Sequence, residues 1–368
     1  MRVLVAPDCF GGTLTALEAA EAIAAGWRRS APSDELLLRP LADGGPGFVE
    51  VLHGALGGDL HEARVTGPLG QAVTAQWLAH DSTAYIESAQ ACGLHLTGRR
   101  DPETSTTYGV GELIAAARAA GMHTAVVGLG GSGTTDGGAG MLHALGGHVT
   151  DDTGSPIGPG GTALKRAAEV VLPEVGINLV AASDVENPLL GRHGAARTFG
   201  PQKGADDAAV ERLEAGLERW AEVLENAGQD VRDRSGAGAA GGLGAGLLAL
   251  GAAFTSGSAL VRTLTRLDEA LDQARLAITG EGSFDWQSLR GKLITAVAAG
   301  AAERGVPCLV LAGQVSVGRR EAGAVGVEQS YAVAEHAGSV AAAMADPAGT
   351  LAALAADVAG QWSQANAR

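Results

Sequence analysis

The run from Gly128 to Gly146, Gly-Leu-Gly-Gly-Ser-Gly-Thr-Thr-Asp-Gly-Gly-Ala-Gly-Met-Leu-His-Ala-Leu-Gly, constrains this chain more than any other segment. It follows an apolar strand signal, Ala125-Val126-Val127. It sets the hydroxyls of Ser132, Thr134 and Thr135 and the carboxylate of Asp136 among closely spaced glycines. Glycine adopts positive φ and lets backbone come close to a ligand, so amide N–H groups can converge on an anion. A strand that runs into such a loop and then into a helix is a common phosphate cradle. One glycine-rich loop alone is equally compatible with a tight structural turn.

Short apolar runs alternate with amphipathic helices along much of the sequence, which indicates α/β layering. Residues 2–6 read as a buried strand, about 17–29 as a helix, 36–41 as a strand and about 47–56 as a helix. The pattern changes between 60 and 100, where 63–65, 73–78 and 83–87 read as short, more antiparallel strands. Residues 108–121 read as a helix before the strand at 124–128, 148–173 as loop, and 179–182 as a strand. In 205–227, Val210, Leu213, Leu217, Trp220 and Leu224 recur on one helical face. Another helix is expected over 260–273, then a strand at 276–278, a helix over 291–304 and a strand over 306–312.

The 368 residues suit two domains. A formal charge of −15 argues against a general nucleic-acid or anionic-membrane surface, while leaving room for a local basic pocket. Cys9, Cys92 and Cys308 are odd in number and widely spaced, so neither a disulfide framework nor a zinc spacing emerges. Reduced thiols in a cytoplasm are the expectation. The apolar stretch 237–254 is long enough to consider as a membrane span. Its glycines favour a buried, closely packed helix.

Six further motifs stand in order along the chain: Pro7-Asp8-Cys9-Phe10 with Gly11-Gly12-Thr13; Ala42-Asp43-Gly44-Gly45; Ser183-Asp184-Val185-Glu186-Asn187-Pro188-Leu189; Gly200-Pro201-Gln202-Lys203-Gly204; Gly238-Ala239-Ala240-Gly241-Gly242; and Thr279-Gly280-Glu281-Gly282-Ser283-Phe284-Asp285. With Gly128–Gly146 they closely resemble the bacterial glycerate kinase family, from residue 2 to about 345. The resemblance implies a two-domain glycerate kinase-like α/β fold. In it a discontinuous Rossmann- or flavodoxin-like domain, residues 1–70 and 272–368, holds an inserted α/β domain, 71–271, with a cleft between them. It also implies ATP-dependent phosphorylation of D-glycerate to 2-phosphoglycerate, with Mg²⁺ and no nucleic-acid or membrane partner.

Phosphoryl transfer requires positioned reactants, stabilised negative charge and a group that orients or deprotonates the attacking hydroxyl. Neither the Walker loop nor the protein-kinase motifs occur in this sequence. Asp184 and Asp285 are the leading acidic candidates. Asp184 is the candidate for assisting the hydroxyl, and Asp285 with Glu281 for holding Mg²⁺ or positioning the nucleotide; the reverse assignment stays open. Asp8, Asp43 and Asn187 are candidates for substrate binding, although each type also caps helices or closes turns. Lys203 and Lys292 are candidates for neutralising phosphate or a substrate carboxylate, with Arg290 a weaker one. Gly130, Gly131, Ser132, Thr134, Gly280 and Gly282 are the candidate phosphate contacts; such hydroxyls also bond local backbone.

The match breaks in the first two motifs. Cys9 and Gly11 stand where the family usually has serine and lysine, and Pro46 and Phe48 where it has glutamate and threonine. Val110 and Ile294 replace a usual threonine and proline. These departures leave two alternatives open: a kinase for another small hydroxy acid, and a non-catalytic metabolite-binding paralogue. A flavin or dinucleotide oxidoreductase is disfavoured, because no G-x-G-x-x-G fingerprint with a distal acid is convincingly placed.

Overall fold

The computed structural model describes residues 1–289 and 293–365, so Arg290 and Lys292 lie outside the described residues. The chain divides into two compact units. One comprises Met1–Ala42, Glu50–Leu56 and the chain from Ser258 onward; the other comprises Asp43–Val49 and Gly57–Gly257. The long boundaries therefore fall near 57 and 257, not near 70 and 272 as expected. The strand Asp59–Thr66 explains the first shift: it pairs antiparallel with Ala72–His80 along its whole length and so belongs to the second unit's sheet. The helix Gly257–Leu264 begins at the other boundary.

The first unit is built on five parallel strands in the order Gln329–Ala332, Cys308–Ala312, Leu276–Thr279, Arg2–Val5, Glu35–Leu38. Leu276–Thr279 and Cys308–Ala312 are buried throughout, as expected for inner strands covered on both faces. The helix Ala16–Ser30 starts with a capping box. Thr15 Oγ1 accepts from the Glu18 N–H at 3.2 Å, and the Glu18 carboxylate accepts from the Thr15 N–H at 2.8 Å. This helix packs on Pro347–Ala365. Gly26 permits the approach, since a Cβ there would stand 2.0 Å from the Ala352 carbonyl oxygen. The expected helix over 260–273 is two, Gly257–Leu264 and Leu267–Gln273. The break falls at Arg266, whose φ of +55° no α-helix accommodates.

The second unit holds a six-stranded sheet in the order Ala253–Thr255, Asn178–Ala182, Thr124–Gly128, Thr83–Glu87, Ala72–His80, Asp59–Thr66. The first four strands are parallel and the last two antiparallel. Its core gathers Trp77, Ile86, Leu113, Val127, Leu213 and Trp220 with many alanines. The long helix is Asp207–Asn226, capped by Asp206, whose Oδ1 accepts from the Ala209 N–H at 2.7 Å. The 148–173 region, expected as loop, carries a small antiparallel pair, His148–Thr150 with Glu169–Val171.

The apolar stretch at 237–254 is a buried helix, Ala239–Ala249, followed by the strand Ala253–Thr255. Its first turn is broken by three successive positive φ values, at Ala240, Gly241 and Gly242. Among the described residues no helix is long and apolar enough to cross a membrane.

Candidate active site

In the second unit, four parallel strands release their loops at one edge of the sheet, where α/β sheets usually bind ligands. Side chains and backbone extend the strand pairing beyond the strands themselves. The Leu129 N–H donates to the Ala182 carbonyl at 2.9 Å, and the Ser183 N–H to the Thr255 carbonyl at 3.0 Å. Ser88 Oγ donates to the Gly128 carbonyl at 2.7 Å, and Ser183 Oγ to the Leu129 carbonyl at 3.3 Å. Asp184 emerges from this edge half-buried, its Oδ1 accepting from Ser256 Oγ at 2.6 Å.

The loop carrying Asp43 leans on the same edge. A Cβ on Gly44 would stand 2.7 Å from the Ala182 carbonyl oxygen, and one on Gly130 would stand 2.5 Å from the Gly45 Cα. Only glycines allow these backbones to touch. Asp43 Oδ1 accepts from the Gly45 N–H at 3.0 Å, so this carboxylate closes its own turn. The structure thus brings Asp43, Gly130, Gly131 and Asp184 to one place. Asn187 also serves its own loop: its side-chain amide donates to the His193 carbonyl at 2.8 Å.

The glycine-rich loop turns inward after Gly131. Gly130 is half-buried and Gly131 exposed, whereas Ser132 is 7% and Thr134 0% exposed. Two of the four expected phosphate contacts in this loop are therefore corrected. The Ser132 and Thr134 hydroxyls lie inside the protein, because the loop packs its polar side chains beneath itself.

Lys203 is corrected in the same sense. It is 3% exposed, and its Nζ donates to Ser132 Oγ at 3.0 Å and to the Thr134 carbonyl at 2.6 Å. It fastens the loop from below instead of projecting toward solvent. Burial holds its ammonium down at about 8, against the pull of Cys92 and Asp136, which favours the charged form.

The sequence reading named no role for Asp136, which proves to be a hub. This carboxylate is 1% exposed. It accepts from the Thr107 N–H at 2.8 Å and Thr107 Oγ1 at 2.9 Å, and from the N–H groups of Gly140 at 3.1 Å and Gly138 at 3.2 Å. Burial raises its pKa despite these bonds. Its position beside Gly137-Gly138 was the available signal: an Asp before two glycines, at a helix start, is a capping pattern.

Glu87 was missed outright. It ends an apolar strand, is 5% exposed, and accepts from the Gly47 N–H at 3.0 Å. An acid closing a run of buried residues was its only trace in the sequence.

Lys203→Met should loosen the loop. It removes the donor from the buried Thr134 carbonyl, a loss of roughly 1–3 kcal/mol for an orphaned buried polar group. Chemical denaturation reads this directly, and an unchanged midpoint would mean that the loop holds itself.

In the first unit, Asp8, Glu281 and Gly282 follow neighbouring parallel strands and line a cavity of about 440 Å³. The Asp8 N–H donates to the Gly280 carbonyl at 2.8 Å, and the Gly313 N–H to the Glu281 carbonyl at 3.0 Å. Asp8 Oδ1 accepts from the Cys9 N–H at 2.7 Å. Gly280 is buried, and a Cβ there would meet the Leu311 carbonyl oxygen at 2.0 Å. Its glycine serves strand packing, which corrects its expected phosphate contact. Asp285 is not among the residues lining the cavity. Its Oδ1 accepts from the Gln287 N–H at 2.8 Å, and its own N–H donates to Ser288 Oγ at 3.1 Å, closing a turn. Among the described residues, no three His, Cys, Asp or Glu side chains gather in a metal-holding group.

This arrangement, glycine-rich loops and carboxylates at the carboxyl ends of parallel strands, is one that nucleotide- and phosphate-handling α/β enzymes use. A sequence model of the glycerate kinase family matches residues 3–363, and the chain belongs to that family. It is 43% identical over 327 residues to glycerate 2-kinase of Escherichia coli (strain K12), covering 86% of each chain. It is 49% identical over 351 residues to an uncharacterised protein of Mycobacterium tuberculosis (strain CDC 1551 / Oshkosh), covering 94% of this chain and 87% of that one. A crystal structure of a candidate glycerate kinase 2 from Salmonella typhimurium LT2 superposes over 100% of both chains with a TM-score of 0.82 and 36% identity. The chain is accordingly an enzyme of the glycerate kinase kind.

Proposed function

We propose that this enzyme transfers the terminal phosphoryl group of ATP to the 2-hydroxyl of D-glycerate, giving 2-phosphoglycerate and ADP. The observation that carries the reading is Asp184, a half-buried carboxylate at a strand end beside the accessible Gly130-Gly131 backbone. Asp184 takes the hydroxyl proton as the oxygen attacks phosphorus, and Ser256 holds the carboxylate in place. The Gly130 and Gly131 N–H groups are the candidates for receiving phosphate oxygens. Lys203 sets the loop's shape and adds a positive charge beneath it.

Glu281 fits Mg²⁺, which usually takes one or two carboxylates and completes its shell with phosphate oxygens and water. Asp285 fits less well, since one of its oxygens already closes a turn. Bound there, Mg²⁺ would neutralise charge on the phosphates.

The test is ATP turnover with Mg²⁺ over a panel of small hydroxy acids, with the phosphorylated position read by phosphorus NMR. Phosphorylation of D-glycerate at the 2-position is expected. Turnover confined to another hydroxy acid would favour a redirected kinase. Binding without turnover would favour a metabolite-binding paralogue.

A further inference from the structure

The first unit's cavity has a composition that a glycerate site would not choose. One wall is apolar, formed by Val340, Ala343 and Met344 of the helix Val340–Ala345 and by Leu351 of Pro347–Ala365. Val340 is 46% and Met344 57% exposed, so this wall opens to solvent as oily surface. The opposite rim is the strand-end edge, with the carboxylates of Asp8 and Glu281. No Lys, Arg or His occurs among the described residues that line it.

Those features select a ligand class. Glycerate is a small anion with two hydroxyls and little apolar surface. Two carboxylates and an aliphatic wall would repel it and leave it unsolvated. A purine nucleoside presents the opposite pattern: a flat apolar ring system and a pair of ribose hydroxyls that donate to carboxylates. A cavity of about 440 Å³ is of the size that holds such a molecule. Strand ends of a parallel sheet are where nucleosides settle, with an acidic side chain on the ribose. Methionine against a ring edge adds an adaptable contact.

We propose that this cavity receives the nucleoside part of the phosphoryl donor, with the purine against Val340, Ala343, Met344 and Leu351 and the ribose hydroxyls on Asp8 or Glu281. This rests on the kinase reading above.

The test uses the full chain, with ADP as titrant in calorimetry and adenosine as competitor. Met344→Glu and Val340→Glu place charge on the apolar wall at exposed positions, so folding is preserved. Ile157→Glu places charge in a separate cavity of the second unit, of about 540 Å³, which is the control. Adenosine should compete with ADP on the unaltered protein. Both wall variants should bind ADP roughly tenfold or more weakly, with KM for glycerate unmoved, and the control should bind normally. Folded wall variants that bind ADP normally would overturn the proposal, as would loss of binding in Ile157→Glu alone or failure of adenosine to compete. If the unaltered protein binds no nucleotide, the kinase reading falls with it. If it binds ADP and phosphorylates glycerate while the wall variants are indifferent, only the pocket assignment falls.

Discussion

Asp184→Asn is expected to lower kcat by roughly 10²–10⁴-fold, the usual cost of removing a general base, with little change in unfolding. Asparagine keeps the size of the side chain and an oxygen that accepts from Ser256 Oγ. Local packing therefore has no reason to fail. What disappears is the basic carboxylate that receives the hydroxyl proton. KM for glycerate should move far less than kcat, because the lost interaction strengthens in the transition state. Steady-state kinetics beside a denaturation curve separate the outcomes. Near-normal kcat would remove Asp184 from the chemistry. A fall in stability matching the fall in rate would make it a structural acid.

The sequence made the α/β layering legible because buried parallel strands are short apolar runs, as in Val3-Leu4-Val5 and Cys308–Ala312. It did not reveal that Asp59–Thr66 is one long strand. Most of that segment is exposed and polar, so its pairing, not its composition, defines it. The broken start of Ala239–Ala249 was also hidden, since a run of alanine and glycine fits a helix and a left-handed turn alike.

At the site, motif order located the loops but not the facing of their side chains. Ser132, Thr134 and Lys203 look like ligand contacts in one dimension. In three they satisfy one another, because a loop passing that close to packed backbone must bury its polar groups in pairs. Asp43 and Asp285 show the same limit: both close turns of their own chain.

The altered first motif gains a backbone reason as well. Gly11 has φ of +37° with no heavy atom within 4 Å of where a Cβ would lie. A lysine there would find space but strained backbone, at roughly 1 kcal/mol. The exchange from the family's usual lysine is thus tied to local conformation as well as to charge.

Glu87→Gln should stabilise the protein at pH 8 by about 3 kcal/mol and by almost nothing at pH 4. Burial pushes the Glu87 carboxyl up to about 7, and the backbone N–H groups of Gly47 and Val49 only partly offset that. In the unfolded chain the same group titrates near ~4.3. Between these values the folded protein holds a proton that the unfolded chain has released. The stability from that proton is complete below about pH 4 and is lost as pH rises through about 7. Above that, the native state carries a buried carboxylate that the unfolded state would keep in water.

Glutamine imitates the protonated acid at every pH, and its oxygen can still accept from the Gly47 N–H. The two proteins should therefore diverge steadily between pH 5 and 7.5 in urea titrations. The nine histidines contribute equally to both curves and cancel in the difference. Parallel curves would show that Glu87 ionises at its ordinary value inside the fold. A variant less stable at every pH would show instead that the charge itself holds the start of Phe48–Leu56, with the helix N-terminus outweighing burial.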